Sequence, residues 1–466
     1  MKRTACLLLA ISSIFGCVML AGAAERPRYG GTLRVVLRTQ PDTLDPAMAS
    51  VWADSRGASR LVPLLYHTLT RLDETGTAKP SLATAWKQET DRRWRVTIRP
   101  NVQFSDGTPL TANLVAKSLR ASNKEWSVSE AGDAVIIETE RKNPALPTEL
   151  ALQRNAIALR SGPGIPIGTG PFVVTDFQPQ LRLVLSANPL CWEGAPFVER
   201  VEVTLGRNLR DQMVDLELGR ADVIEIGPET GARIPSSARV YWSQPVELVA
   251  LRFSDTLVGE DLLPLRQAFA LSLDRDSIVS VLLRKQAEPA GNLLPNWISG
   301  YGFLFSTARD LASARQLRGT ATQVRPLTVE YESGDALARV IAERVAVNAG
   351  DAGLSVRAVS RAQTAGGDVV VVRTLLPAID SGVALNELAS SDMLSLDEIA
   401  TATAEQEFEG MQRQVNRSTV VPLAYMRTGH AVASRVRDWT ASADGMWNVG
   451  NAWVDNTTMS PRQGQQ

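Results

Sequence analysis

Histidine is almost missing from this 466-residue chain: there are two, His67 and His430. Cysteine is nearly as scarce, with Cys6 and Cys17 close to the start and Cys191 the third. Zinc and redox-metal centres need clustered thiolate or imidazole ligands, and His67, His430 and Cys191 stand far apart, outside any ligand spacing. No metal and no cofactor are therefore expected. The shortage also bears on catalysis, because a serine nucleophile would have to take its base from those two histidines, and no Gly-x-Ser-x-Gly elbow is present to expose it. Carboxylates are plentiful but unmarked by context, so the chain reads as a non-enzyme, with a secreted hydrolase as the third choice. A basic excess is lacking too. Lys and Arg number 49 against 50 acids, a formal charge of −1, which becomes 47 − 50 = −3 once residues 1–24, holding Lys2 and Arg3 and no acid, are set aside. Such a surface is a poor match for a phosphate backbone, and no nucleic-acid partner is expected. Beyond residue 24 no segment approaches the roughly eighteen apolar residues of a membrane span, and no internal repeat or low-complexity tract is present.

What the chain does hold is bulk. Its length, with 44% hydrophobic residues, exceeds what one core organises, so two or more lobes are expected. With only Cys191 beyond residue 24, their stability must come from core size and not from a disulfide. Met1-Lys2-Arg3, the apolar stretch Ala5 to Leu20 and the small residues Ala21 to Ala24 make the three parts of a secretory signal peptide, with the mature chain beginning near Glu25. That places the protein in the periplasm or another extracytoplasmic space. A competing reading makes Cys17, after Ile14-Phe15-Gly16, an acylation site whose lipid would anchor the protein at about 0.8 kcal/mol per buried CH2.

Thr32 to Leu37 alternates as a strand and runs into Pro-Asp-Thr-Leu-Asp-Pro, where two prolines stop further pairing. Trp94 to Ile98 alternates again, Asp106 to Pro109 makes a turn, and Thr111 caps a helix carrying Leu114, Val115 and Leu119. The glycine-rich stretch 162–172, GPGIPIGTGPF, is not a phosphate cradle, since no lysine follows and no helix begins with free amides. Phe172 to Phe177 and Leu181 to Leu185 read as paired strands. Behind Pro264 a helical run from Leu265 divides in two, with Asp274 or Asp276 capping the second piece. Leu327 to Tyr331, Ala336 to Val347 and Leu354 to Val359 form a βαβ unit, Gly350 and Gly353 ending its helix. The four valines of Asp368 to Val372 suit a strand covered on both faces, making a later lobe α/β. Pro461 to Gln466 read as a frayed tail.

Several of these segments carry a resemblance. In order, GGTLRVVLRTQPDTLDP, LLYHTLTRLDETGTAKPSLATAWK and WRVTIRPNVQFSDGTPLTANLVAKSL, then Gly-Thr-Gly-Pro-Phe at 168–172, Trp192-Glu193-Gly194-Ala195-Pro196 and the LRQA…DR run from Leu265, are similar to the family 5 extracellular solute-binding proteins. These are the dipeptide, oligopeptide and nickel-chelate receptors of ABC importers. The resemblance implies an α/β, bilobal periplasmic-binding-protein-like (type II) fold with a subdomain inserted in the first lobe. The first lobe would comprise 25–55, 165–245 and 429–466, the insert 56–164 and the second lobe 246–428. It further implies a monomer that captures a peptide or small molecule between its lobes and delivers it to a membrane permease. A diverged scaffold or sensory partner of the same fold is the alternative.

By that resemblance Arg38, Thr39 and Gln40, with the loop Met48 to Asp54 containing Trp52, occupy the cleft edge. Trp242, Trp297 and Tyr425 are aromatic candidates, because such side chains give contact area and a donor at small entropic cost. Peptide-binding members pair an aspartate in an Asp-Tyr-x-Asp-Pro context with the ligand amine, where this chain reads Val371-Val372-Arg373-Thr374-Leu375-Leu376-Pro377-Ala378-Ile379-Asp380-Ser381. Asp380 is the candidate for that contact, and Arg373 offers a carboxylate its bidentate fork. His67 falls in the LLYHTLTRLD helix as a half-buried polar contact.

Overall fold

The computed structural model describes residues 26–455 except 52–54, 74, 163, 229–233, 322–324, 364–365, 377–379, 391–392, 395–402, 442–444 and 446. The expected leader, Cys17, Trp52 and the C-terminal tail lie outside the described residues.

Strand β1 (Thr32–Val36) buries Leu33 and Val35 and leaves Thr32 and Arg34 half-covered, as its alternation predicts. Helix α1 (Ser55–Leu65) lays Leu61 and Leu65 on the same core. The helix expected through LLYHTLTRLD stops at Leu65, and His67 sits in the turn that follows. The stop is steric: the Gly168–Gly170 strand lead presses against the helix end, where the Gly170 N–H donates to the Leu65 carbonyl at 2.9 Å. A Cβ at either glycine would collide with Leu65 main chain, which gives this glycine-rich segment a packing reason.

The inserted region forms its own antiparallel sheet, β2 (Ala83–Thr90), β3 (Arg93–Ile98), β4 (Trp126–Ala131) and β5 (Ala134–Thr139), in the order β2-β3-β5-β4. Strand β3 buries Trp94, Val96 and Ile98 against Val135 and Ile137 of β5 and against Val115 and Leu119 of α2 (Ala112–Ser122). Thr111 caps that helix as expected, its hydroxyl accepting from the Leu114 N–H at 3.3 Å.

The chain then returns through β6 (Phe172–Gln178) and β7 (Arg182–Ala187), an antiparallel pair, to β8 (Arg200–Thr204), α3 (Leu209–Glu217) and β9 (Val223–Ile226). After the long β10 (Ala238–Phe253), helix α4 (Leu263–Ser272) carries Pro264 in its first turn, and Asp274 accepts from the Ser277 N–H at 2.9 Å to begin a second, short helical piece. A short β11 (Ala287–Pro289) precedes the βαβ unit, whose β12 (Leu327–Tyr331) and β13 (Val356–Ser360) run parallel around α5 (Ala336–Asp351). Strand β14 (Val369–Leu375) follows, with helices α6 (Ser381–Ser390) and α7 (Ala404–Arg417) before the closing β15 (Val420–Ala433). Val369 and Val371 of β14 face the core of α4 and α5, while Val372 packs toward Leu385, Leu388 and Met411 of α6 and α7, so the valine run is covered on both sides.

Among the described residues these strands join one sheet in the order β13-β12-β14-β10-β15-β9-β1-β8-β7-β6, with β11 on β15. Strands β10 and β15 hold it together. Their first stretch pairs Ala238–Trp242 with Ala433–Gly429 over the N-terminal core, and their second pairs Glu247–Arg252 with Met426–Val420 over the C-terminal cores. Register slips separate the stretches at Trp242, Pro245 and Glu247. Proline has no N–H for the ladder, so pairing is weakest where the chain passes from one body to the other. Ser243 bridges the gap, its hydroxyl oxygen accepting from the Thr428 N–H at 2.9 Å.

Candidate functional site

At that joint, residues of both bodies line a narrow crevice. Arg38 follows β1, Arg60 comes from α1, Leu209 opens α3, and Glu225 and Ile226 end β9. Across from them stand Glu247 of β10, Leu337 of α5 and Arg373 of β14, with Met426 to Gly429 of β15 passing between. The free space within it is about 20 Å3, which takes roughly one water. The arrangement is shut. Beyond the crevice, Leu152 of the insert packs with Val383 of α6, and Arg154 pairs with Glu387 of the same helix while also meeting Glu149 at 3.1 Å.

Both carboxylates of the lining are engaged. Glu225 and Arg60 form an ion pair with each side chain 5% exposed. Glu225 also accepts from the Arg38 main-chain N–H at 2.6 Å and from Gln212 Nε2 at 3.5 Å. Glu247 accepts from Arg373 Nε at 2.8 Å, and the other arm of that guanidinium pairs with Asp335, the residue that caps α5. Charges this deep persist only when paired, since their desolvation costs several kcal/mol each.

Behind the crevice lies His430 of β15, which is 1% exposed. Its Nε2 accepts from the Trp447 indole at 2.9 Å, so the ring carries its proton on Nδ1. The Arg60 guanidinium lies 5.8 Å from the centre of the same indole. Burial, reinforced by the Arg60 charge, holds the imidazole well below its usual 6.5, and it is neutral at pH 7.

The sequence candidates divide. Arg38 and Arg373 line the crevice, but Arg373 already grips Glu247 and Asp335, so its fork is occupied by the protein itself. Thr39 is buried under α1, where a Cβ at Gly57 would strike its side chain, and its carbonyl accepts from the Gly206 N–H. Gln40 donates to the Gln180 carbonyl at 3.4 Å on the exposed side. Trp242 lies one layer behind the lining, its ring 2.5 Å from where a Gly429 Cβ would stand, so only glycine fits there. Trp297 donates to the Pro245 carbonyl at 3.1 Å and so props the joint. Tyr425 belongs to the core of α6 and α7; its hydroxyl donates to the Asn292 carbonyl, and burial pushes its pKa well above 10.0. Asp380 caps α6 by accepting from the Val383 N–H at 3.0 Å, which commits one of its oxygens to a helix start. His67 is half-buried as expected, between Thr169 at 3.1 Å, the Trp192 indole at 3.2 Å and Glu193 at 3.3 Å. Arg60, Glu225, Glu247 and Arg427 were missed, because charged residues inside ordinary amphipathic segments give no local signal.

Among the described residues no cluster of side chains has metal-holding composition, and no helix is long and apolar enough to cross a membrane. The profile of the bacterial extracellular solute-binding proteins, family 5 Middle, matches residues 77–373. Protein XP55 of Streptomyces lividans is 26% identical over 359 residues, which cover 68% of this chain and 65% of that protein. This chain spans about two-thirds or less of the length of the curated relatives it matches. Among solved structures, NikA from Staphylococcus aureus in complex with Ni(L-His)2 superposes with a TM-score of 0.79 at 18% identity, over 91% of this chain and 99% of that one. The DppA protein from Helicobacter pylori in complex with peptide STSA does so with 0.80 at 15%, over 92% and 99%. The shared architecture is the bilobal α/β fold of type II periplasmic binding proteins.

Proposed function

The chain belongs to the family 5 bacterial extracellular solute-binding proteins, a family of binding proteins and not of enzymes, and from that premise we propose that it is the extracytoplasmic receptor of an ABC importer. It captures a peptide or peptide-like small molecule between two lobes and hands it to a membrane permease. The observation that carries this reading is the crevice at the joint of β10 and β15, lined from both bodies. Only a site shared by two bodies lets ligand binding do mechanical work, because contacts made to both favour the shut arrangement over the open one. The permease then reads the shut form.

The lobe division 25–55, 165–245 and 429–466 against 246–428, with 56–164 inserted, is part of the proposal, and the separate cores on either side of the joint support it. So is export by residues 1–24, with anchoring at Cys17 as its variant, and so is action as a monomer. Transport by this route needs no covalent chemistry from the receptor. Cleft candidates that survive the geometry are Arg38 and, through the wall that it backs, Trp242.

One observation favours the second reading, a diverged scaffold or sensory partner: the crevice is nearly filled by the protein's own Arg60–Glu225 and Arg373–Glu247 pairs. Thermal unfolding of the purified mature protein against peptide, amino-acid, sugar and metal-chelate pools separates the two. A ligand bound only by the folded form at a hundred times its Kd adds about 2.7 kcal/mol and raises Tm visibly. A receptor answers at least one pool; silence across all of them leaves the scaffold.

A further inference from the structure

The arginines of the crevice are not equivalent. Arg60 is spent on Glu225, and Arg373 on Glu247 and Asp335. Arg427 also lines the crevice, half-buried on β15 where that strand crosses between the bodies. Its main chain is fixed, standing opposite Pro245 and donating its N–H to the Gln286 carbonyl at 3.1 Å. Its guanidinium, in contrast, makes no hydrogen bond and no ion pair among the described residues. The lining holds Arg38, Arg60, Arg373 and Arg427 against Glu225 and Glu247, so it stays positive even with Asp335 counted.

A guanidinium drawn part-way out of water and left without an acceptor is costly, and nearly every arginine around it has been given one. Resting on the receptor reading above, we infer that Arg427 is the anion anchor of the crevice, and that the captured solute presents a carboxylate to it. The planar fork accepts both oxygens of a carboxylate at once, a geometry a lysine cannot supply. In the present arrangement the crevice admits about one water, so the carboxylate and the rest of a ligand alike need the lobes to part before they reach Arg427. The anchor stands on the crossing strand itself, beside the Ser243–Thr428 bridge, so the charge it neutralises sits at the pivot of closure. The residue the sequence offered for this role, Arg373, is excluded from it by its two internal acids.

The test uses matched probes on the full mature protein: di- and tripeptides as free acids and as C-terminal amides, and small organic dicarboxylates. The readouts are thermal shift and calorimetric Kd. The inference expects acids to shift Tm where the amides do not, and Arg427→Gln to weaken the binding of the acids about tenfold to hundredfold, with Arg427→Lys between the two. Peptide acids alone binding assigns the carboxylate to a peptide terminus; dicarboxylates binding as well assigns it to organic acids. Equal binding of acids and amides, or undiminished acid binding by Arg427→Gln, overturns the anchor and leaves the receptor standing. A wild-type protein deaf to every probe here, yet answering another of the solute pools, overturns the anchor alone; deafness to all pools overturns the receptor reading itself. Should Arg427→Gln unfold, Arg427→Lys decides, since it keeps the charge and loses only the fork.

Discussion

At the scale of the residue, His430 shows what burial does to an ionisable group behind the joint of β10 and β15. Trp447 donates to it, and Arg60, itself clamped by Glu225, stands 5.8 Å from the centre of the same indole. Its pKa is depressed in the folded state, so below about pH 6.5 the unfolded chain takes up a proton that the folded chain refuses. Stability therefore falls on acidification by up to about 1.4 kcal/mol per pH unit until the depressed value is reached, and this contribution vanishes above pH 6.5. Urea midpoints measured between pH 7.5 and 5 should fall for the wild type and fall less for His430→Gln, which keeps an acceptor for Trp447 without a titrating group. Parallel slopes in the two proteins would mean that His430 protonates freely. None of this was legible in the sequence, where His430 is one of two isolated histidines; its depth comes from β9 and β10 flanking β15.

At the scale of the element, local sequence predicted well wherever local physics decides. The alternation of Arg93–Ile98, the Thr111 cap, the Asp274 cap and the βαβ order of 327–360 all hold, because each rests on periodicity, a side-chain oxygen or an obligate crossover. Thr111→Ala removes the acceptor for the Leu114 N–H and should cost about 1 kcal/mol, read as a lower urea midpoint at unchanged slope. The failure is equally instructive. The helix drawn through His67 ends at Leu65 because Gly168 and Gly170, a hundred residues later, arrive against its last turn, and no window on the sequence contains both partners.

At the scale of the whole molecule the question is how the two bodies are held shut. Arg154 of the insert and Glu387 of α6 are 12% and 17% exposed and paired across the gap, beside the contact of Leu152 with Val383. Glu387→Ala removes the pair while leaving Arg154 its Glu149 partner, so the fold should persist and the open population grow. At about 1 kcal/mol for the pair, ligand affinity should weaken roughly fivefold, and the radius of gyration in solution should rise without ligand and recover with it. A radius unchanged by the substitution would mean that the bridge holds nothing closed. By itself the sequence determined the family, the α/β bilobal plan and most local elements, since ordered motifs, alternation and caps are written in neighbouring residues. Only the tertiary structure decided which charged groups share the crevice and which of them are already satisfied. Arg38, Arg60, Glu225, Glu247, Arg373 and Arg427 come from segments nearly four hundred residues apart, and electrostatic pairing depends on distance in space, which the crossing of β10 and β15 sets and the order of residues along the chain does not.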